Sequence, residues 1–135
     1  VESHRQTGRS AAVLNTSSIA GVTGIGSSVA YAATKGALNT MTLSLARALA
    51  PAIRVNAICP GFIGTRWFKD KMDEDQYRRM EASVAAATPL NAASGPDDIA
   101  DAALFFLTDA SRHVTGETLL VDAGTHLGYA PLTAR

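Results

Sequence analysis

Hydrophobic and polar positions follow two different periods along this chain, and the switches between them mark its elements. Ala11 to Ser18 ("AAVLNTSS") is a short apolar run ending in small polar residues, which predicts a buried strand. Ile19 to Ser28 is rich in glycine and serine and reads as loop. The period then becomes helical. Tyr31, Lys35, Leu38, Thr42, Leu45 and Leu49 share one side, and Ala30, Ala33, Ala37, Met41 and Ala48 make a neighbouring face of mostly small side chains. Ser27 or Ser28 can cap this helix, which runs to about Ala50, where Pro51 stops it. Gly36 costs roughly 1 kcal/mol relative to alanine in a helix interior, so it predicts a close contact at that point.

The second half repeats the alternation. "IRVNAIC" (Ile53 to Cys59) is the next strand, and "PGFIGTRWF" (Pro60 to Phe68) a long turn with two glycines. Asp73 to Ala87 has helical composition, with Asp73, Glu74 and Asp75 near its positive end. "SGPDDIADAALFFLTD" (Ser94 to Asp109) is a marked helix: Pro96 sits early, Asp97 and Asp98 fill the first turn, and Ile99, Ala103 and Phe106 form its stripe. "ETLLVD" is a last strand. Val1 to Gly8 reads as a frayed helix end, and Thr125 to Arg135 as a tail without a strong signal. Strands alternating with helices predict an α/β fold with parallel pairing and right-handed crossovers.

Composition narrows the function classes. At 135 residues, 47% hydrophobic and 18% charged, the chain has the size and apolar content of one domain. Twelve basic and twelve acidic side chains cancel, which argues against a nucleic-acid or membrane-surface partner held by bulk electrostatics. The charges are uneven, however: between Ser3 and Phe68 there is no acid, while Arg5, Arg9, Lys35, Arg47, Arg54 and Arg66 are present. Either the two halves neutralise each other in the fold, or the first half offers a field to an anionic ligand. Cys59 is the only cysteine, so no internal disulfide forms and a reducing, cytoplasmic compartment fits. Within "VNAIC" it reads as a buried small hydrophobe. No apolar run has membrane-spanning length. His4, His113 and His126 are scattered without metal-ligand spacing.

The stretch "VTGIGSSVAYAATKG" (Val22 to Gly36) carries the candidate chemistry and can be read two ways. As a dinucleotide-binding glycine loop it fails three requirements: Gly24 stands six residues beyond Ser18, Val29 replaces the third glycine, and no acid follows near residue 50. As a proton-transfer site it fares better. Tyr31 and Lys35 lie four apart, one above the other on a helix. An ammonium beside a phenol favours phenolate, bringing a poor neutral-pH acid toward useful range. Ser18 ends the preceding strand, and the loop lets its hydroxyl fold back toward that helix; Ser17 is its nearest rival.

Taken in order, "NTSSIAG", the Tyr31–Lys35 pair, "RVNAICPGFIGT" and "VTGETLLVDAG" resemble the C-terminal half of the short-chain dehydrogenase/reductase family, from about Ser10 to Gly124. The resemblance implies the C-terminal portion of a Rossmann-like doubly wound parallel sheet, and an oxidoreductase that moves a hydride between NAD or NADP and an alcohol or carbonyl. It casts Ser18 as hydrogen-bonding the substrate oxygen, Tyr31 as the acid–base, and Lys35 as tuning the tyrosine and holding the nicotinamide ribose. It places Pro60 and Gly61 in the turn beneath the nicotinamide, the Ile63 backbone at the carboxamide, and Thr65 near the carboxamide or phosphates. Asn15 and Asn56 are expected to be structural. Phe62 to Ala87 would form the lid, with Trp67, Phe68 and Met72 as an apolar contact surface. The substrate class resembles that of 3-oxoacyl reductases or of alcohol and sugar dehydrogenases, and members assemble as homodimers or homotetramers.

Against the family pattern, the opening strand, its phosphate-binding glycine turn and the residue selecting NAD or NADP are missing, and Ala123 stands where the family usually has glycine. The expectation is therefore a single partial domain over residues 1–135, the catalytic half of a longer chain. Its first strand would lack a partner, leaving an apolar edge prone to self-association, with little NAD(P) affinity in this piece alone. The alternative is a non-catalytic binding or scaffold protein that kept the fold.

Overall fold

The computed structural model describes residues 1–8 and 10–128; Arg9 and the last part of the predicted tail, residues 129–135, lie outside the described residues. The elements in chain order are α1 (Glu2–Thr7), β1 (Ala11–Thr16), α2 (Ala20–Thr23), α3 (Val29–Leu49), β2 (Ile53–Pro60), α4 (Arg66–Lys69), α5 (Glu74–Ala86), α6 (Pro96–Leu107) and β3 (Thr118–Val121), with single 3₁₀ turns at Asp109–Ser111 and Thr125–Leu127. Among the described residues the strands form one parallel sheet in the order β1-β2-β3. The register sets Ala11 opposite Ile53 and Thr16 opposite Ile58, then Ala57 opposite Thr118 and Pro60 opposite Val121.

The middle strand, β2, explains the layering. Its side chains alternate between two faces, and both are covered. Ile58 joins Ile99 and Phe106 of α6 in the core cluster, with Leu14 and Val121 packed against it. On the opposite face the Cys59 thiol donates to Asn39 Oδ1 of α3 at 3.6 Å, and Asn15 of β1 donates to Thr42 Oγ1 at 2.9 Å. Helices therefore lie on both sides of the sheet, as the α/β pattern requires. Each fully buried Ile or Phe side chain of this core contributes about 1.5–3 kcal/mol.

Local chemistry accounts for most helix boundaries. The Ser28 hydroxyl caps α3 by accepting from the Tyr31 amide at 3.1 Å. Asp73 and Gln76 form a reciprocal capping box at the start of α5. At α6, Pro96 stands in the first turn and the Asp98 carboxylate accepts from the Gly95 amide at 2.7 Å.

Several expectations are corrected. The strand predicted over Ala11 to Ser18 ends at Thr16, and the segment read as loop from Ile19 to Ser28 contains α2. Pro60 belongs to β2, and α4 lies within the stretch read as turn. Thr42 and Ala46 are what α3 buries, and its small-residue face, including Ala33, Ala37 and Met41, is exposed. β1 is an edge strand whose outer side is unpaired among the described residues, with Val13 exposed.

Candidate active site

The carboxyl ends of parallel strands are where open α/β sheets bind ligands, because the chain turns away there and leaves a crevice. In this chain the carboxyl ends of β1 and β2 are stitched together: the Ser17 amide donates to Ile58 O at 2.8 Å and the Ile19 amide to Pro60 O at 3.0 Å. That crossing puts Ser18 beside the turn opened by Pro60 and Gly61.

The two adjacent serines have opposite roles. Ser17 is buried, and its hydroxyl donates to Lys35 O at 3.1 Å, binding the strand end to the middle of α3. The Ser18 hydroxyl is only partly buried; its oxygen accepts from the Ala20 amide at 3.2 Å, and its proton has no acceptor among the described residues. Ala20 and Gly26 carry the line onward to Tyr31. A methyl group on Gly26 would come within 2.7 Å of Ala20 Cβ and 3.3 Å of Tyr31 Cδ1.

Tyr31 is 38% exposed, and its hydroxyl makes no hydrogen bond among the described residues. Lys35 Nζ lies 5.7 Å from the Tyr31 ring centroid, within the range of a cation–π contact. The same ammonium donates to Thr16 O, the last carbonyl of β1, at 2.9 Å. One of its three N–H groups is thus spent on positioning and two remain.

The close contact predicted at Gly36 is present, but the residue it demands is Gly21. A methyl on Gly21 would meet Lys35 C at 2.5 Å and Gly36 N at 2.8 Å, whereas one on Gly36 would find Gly21 O at an ordinary 3.6 Å. The first turn of α2 therefore packs against the backbone of Lys35 itself, and Asn39 Nδ2 reinforces it by donating to Gly21 O at 3.1 Å.

The end of β2 and the turn after it hold the remaining predicted positions. Pro60 is buried and Gly61 donates to Val121 O at 3.1 Å. A Cβ on Gly61 would stand 2.8 Å from that of Asp122, so glycine lets the two strand ends meet. Ile63 packs on the core cluster while its carbonyl accepts from the Thr65 amide at 2.8 Å. The Ile63 amide and the Thr65 hydroxyl have no partner among the described residues. Asn56 is buried and engaged through both ends of its amide, donating to Val114 O and accepting from the Glu117 amide.

These donors can be set against the needs of a nicotinamide nucleotide. A ribose diol and a carboxamide require uncharged or cationic donors with free hydrogens, and the spare Lys35 N–H groups, the Ile63 amide and the Thr65 hydroxyl meet that requirement. Among the described residues no three His, Cys, Asp or Glu side chains gather as metal ligands. None of the described helices is long and apolar enough to cross a membrane.

A cavity of about 350 Å³ opens beside this edge, walled by Ile19, Phe62, Val84 and Ala87, with the hydroxyl residues Ser83, Thr88 and Thr125. Trp67 stands outside, 63% exposed, edge-on to Phe68 at 4.7 Å, and Phe68 in turn lies 5.0 Å from Phe62.

One pair at this edge was not anticipated. His126 Nδ1 lies 2.9 Å from Asp122 Oδ2, and the buried Asp122 carboxylate also accepts from the amides of Gly124 and His126. Helix-like spacing of four in "DAGTH" is the signal that could have revealed it.

Comparison with known proteins agrees with this architecture. A family described as enoyl-(acyl carrier protein) reductase matches residues 1–126. The chain is 40% identical over 115 residues to the granaticin polyketide synthase putative ketoacyl reductase 2 of Streptomyces violaceoruber, covering 85% of this chain and 44% of that protein. It is 39% identical over 116 residues to the short-chain dehydrogenase/reductase homolog YusR of Bacillus subtilis, covering 86% and 84%. Among solved structures, a short-chain dehydrogenase/reductase from Burkholderia xenovorans matches with a TM-score of 0.75 at 43% identity, covering 90% of this chain and 44% of that one. Apart from YusR, the chain spans about half the length of these relatives.

Proposed function

This chain belongs to the short-chain dehydrogenase/reductase family, and from that premise we propose that it carries the acid–base part of a hydride-transfer site acting on an alcohol or carbonyl. One observation carries the reading: Lys35, anchored on the last carbonyl of β1, holds its ammonium over the Tyr31 ring while the Tyr31 hydroxyl stays free.

In the direction of reduction, NAD(P)H when bound supplies the hydride to the carbonyl carbon. The carbonyl π pair then moves onto oxygen. The Ser18 hydroxyl donates a hydrogen bond to that oxygen, and Tyr31 gives it a proton, so that an alcohol results. Pre-placed donors stabilise charge as it develops without reorganising. The Lys35 ammonium stabilises the negative charge left on the tyrosine oxygen until a solvent proton restores it. Pro60 and Gly61 shape the turn that offers Ile63 and Thr65 to the carboxamide. The Phe62-walled cavity accepts the apolar part of a 3-ketoacyl, sugar or simple alcohol substrate. The exposed small-residue face of α3 supports assembly into a homodimer or homotetramer.

The test is Tyr31→Phe in a protein that also carries the family's nucleotide-binding half, assayed with NADH and NADPH against ketoacyl thioesters, aldoses and secondary alcohols. Turnover is expected to fall roughly 10²–10⁴-fold while cofactor affinity and melting temperature hold. Substantial surviving turnover overturns the assignment.

A further inference from the structure

The turn after β2 is held from outside by the lid helix. Tyr77, in the first turns of α5, is 9% exposed, and its hydroxyl donates to Glu81 Oε1 at 3.2 Å. Lys69 Nζ stands 5.0 Å from its ring centroid. Burial pushes the Tyr77 phenol up from its ordinary range, and the charge of Glu81 adds to the effect, so the hydroxyl keeps its proton at neutral pH.

The other neighbour of that hydroxyl is Gly64. A methyl group built on Gly64 would overlap the Tyr77 oxygen, while the next atoms, Ser94 O at 3.6 Å and Glu81 Oε1 at 3.7 Å, leave ordinary room. Gly64 is not in the left-handed backbone region, so its conformation does not ask for glycine. The residue is small because Tyr77 occupies the space. Gly64 is also tied from below, its amide donating to Ser94 O at 2.8 Å. It lies directly between Ile63 and Thr65.

We infer that Tyr77 is a positioning residue: its hydroxyl, fixed by Glu81, seats the backbone of Gly64 and so holds the Ile63 amide and the Thr65 hydroxyl at the cofactor side of the site. The lid helix and the nicotinamide turn then move as one piece. What the turn faces rests on the proposed function; the clamp itself does not.

Four proteins test it: the parent chain, Gly64→Ala, Tyr77→Phe and the double variant. Gly64→Ala is expected to lower the melting temperature by about 4 °C or more, from overpacking against the hydroxyl. The double variant regains most of that loss, because removing the hydroxyl makes room. Tyr77→Phe alone is expected to speed hydrogen exchange at the Gly64 and Thr65 amides several-fold, with β2 unchanged; this holds even where Gly64→Ala folds poorly. With the same four proteins joined to the family's nucleotide-binding half, titration with NADH and NADPH should show dissociation constants raised roughly fivefold by Gly64→Ala and restored in the double variant. Additive melting losses with unchanged exchange overturn the clamp. Coupled melting with unchanged affinity in Gly64→Ala overturns the positioning role. Coupled melting and faster exchange, with a joined parent that binds neither nucleotide, support the clamp and overturn the cofactor reading.

Discussion

The two ends of the sheet use their cations in opposite ways. At the amino end, the Arg54 guanidinium is tied to several acceptors: Nη1 donates to Phe106 O at 3.0 Å and Ser111 Oγ at 2.8 Å, and Nη2 to Thr108 O at 3.1 Å. It closes the carboxyl terminus of α6, where the last carbonyls lack helical partners and the dipole is negative. Ser111 is buried and likewise spent, donating to Phe106 O. At the carboxyl end, Lys35 makes one hydrogen bond, Ser18 keeps its proton and the Tyr31 hydroxyl makes none among the described residues. A polar group committed to several protein acceptors at once builds the fold; one held in place by a single bond has donors left for a ligand. Of the cations in the stretch without acids, Arg54 serves a structural clasp and Lys35 the open site.

The largest effect expected from this contrast, after loss of the Tyr31 hydroxyl, is at Ser18. Ser18→Ala should lower kcat roughly 10²–10³-fold, as loss of one donor to a developing oxyanion does, with the melting curve unchanged. A full-rate Ser18→Ala enzyme would remove the serine from the site. Arg54→Met should act the other way, costing about 2–3 kcal/mol of stability through stranded carbonyls, visible as a lower denaturation midpoint with the residual protein's KM unaltered. Ser17→Ala should cost about 1 kcal/mol for its lost bond to Lys35 O; a deeper loss of turnover than in Ser18→Ala would reverse the two roles.

The smallest effect concerns pH. Burial pushes the Cys59 thiol up, outweighing hydrogen bonds with Ser17, Ser18 and Asn39. Its folded pKa is above its unfolded one, so this contribution to stability is complete below the ordinary thiol range and is lost as pH rises through the folded value. Tyr77, also raised, acts in the same direction at more alkaline pH. Alkylation of Cys59 by iodoacetamide should be slow in the folded chain and fast in denaturant; equal rates would show the thiol to be accessible.

Legibility in the sequence followed the range of the interaction. Ser28, Pro51, Asp73 and Pro96 act within one turn of backbone, so the ends of α3, α5 and α6 could be read from residue type. Tyr31 and Lys35 share a helix, which made their approach readable from spacing alone. α2 has four residues, too few for a period, so its sequence reads as loop. Gly21 and Gly64 are small because of groups 14 and 13 residues away on other elements, Lys35 and Tyr77, and no local pattern encodes that. The small residues of α3 mark a face that close packing would suit without saying whether a partner is present, and in the single chain that face is exposed. The roles expected of Pro60, Gly61, Ile63 and Thr65 rest on the family resemblance and not on spacing.

The alternation along β2 has a last consequence. Asn56 and Ile58 point toward α6 and its following turn, whereas Cys59 points toward α3. A shear of that strand by a single residue would exchange the two sets, turning the thiol toward Phe106 and the isoleucine toward Asn39. It would also withdraw Pro60 O from the Ile19 amide and so detach Ser18 from the turn. Assembly of the oily interior and assembly of the reactive edge are therefore a single event: a chain that has found its correct pairing has, in the same step, aimed its hydroxyls.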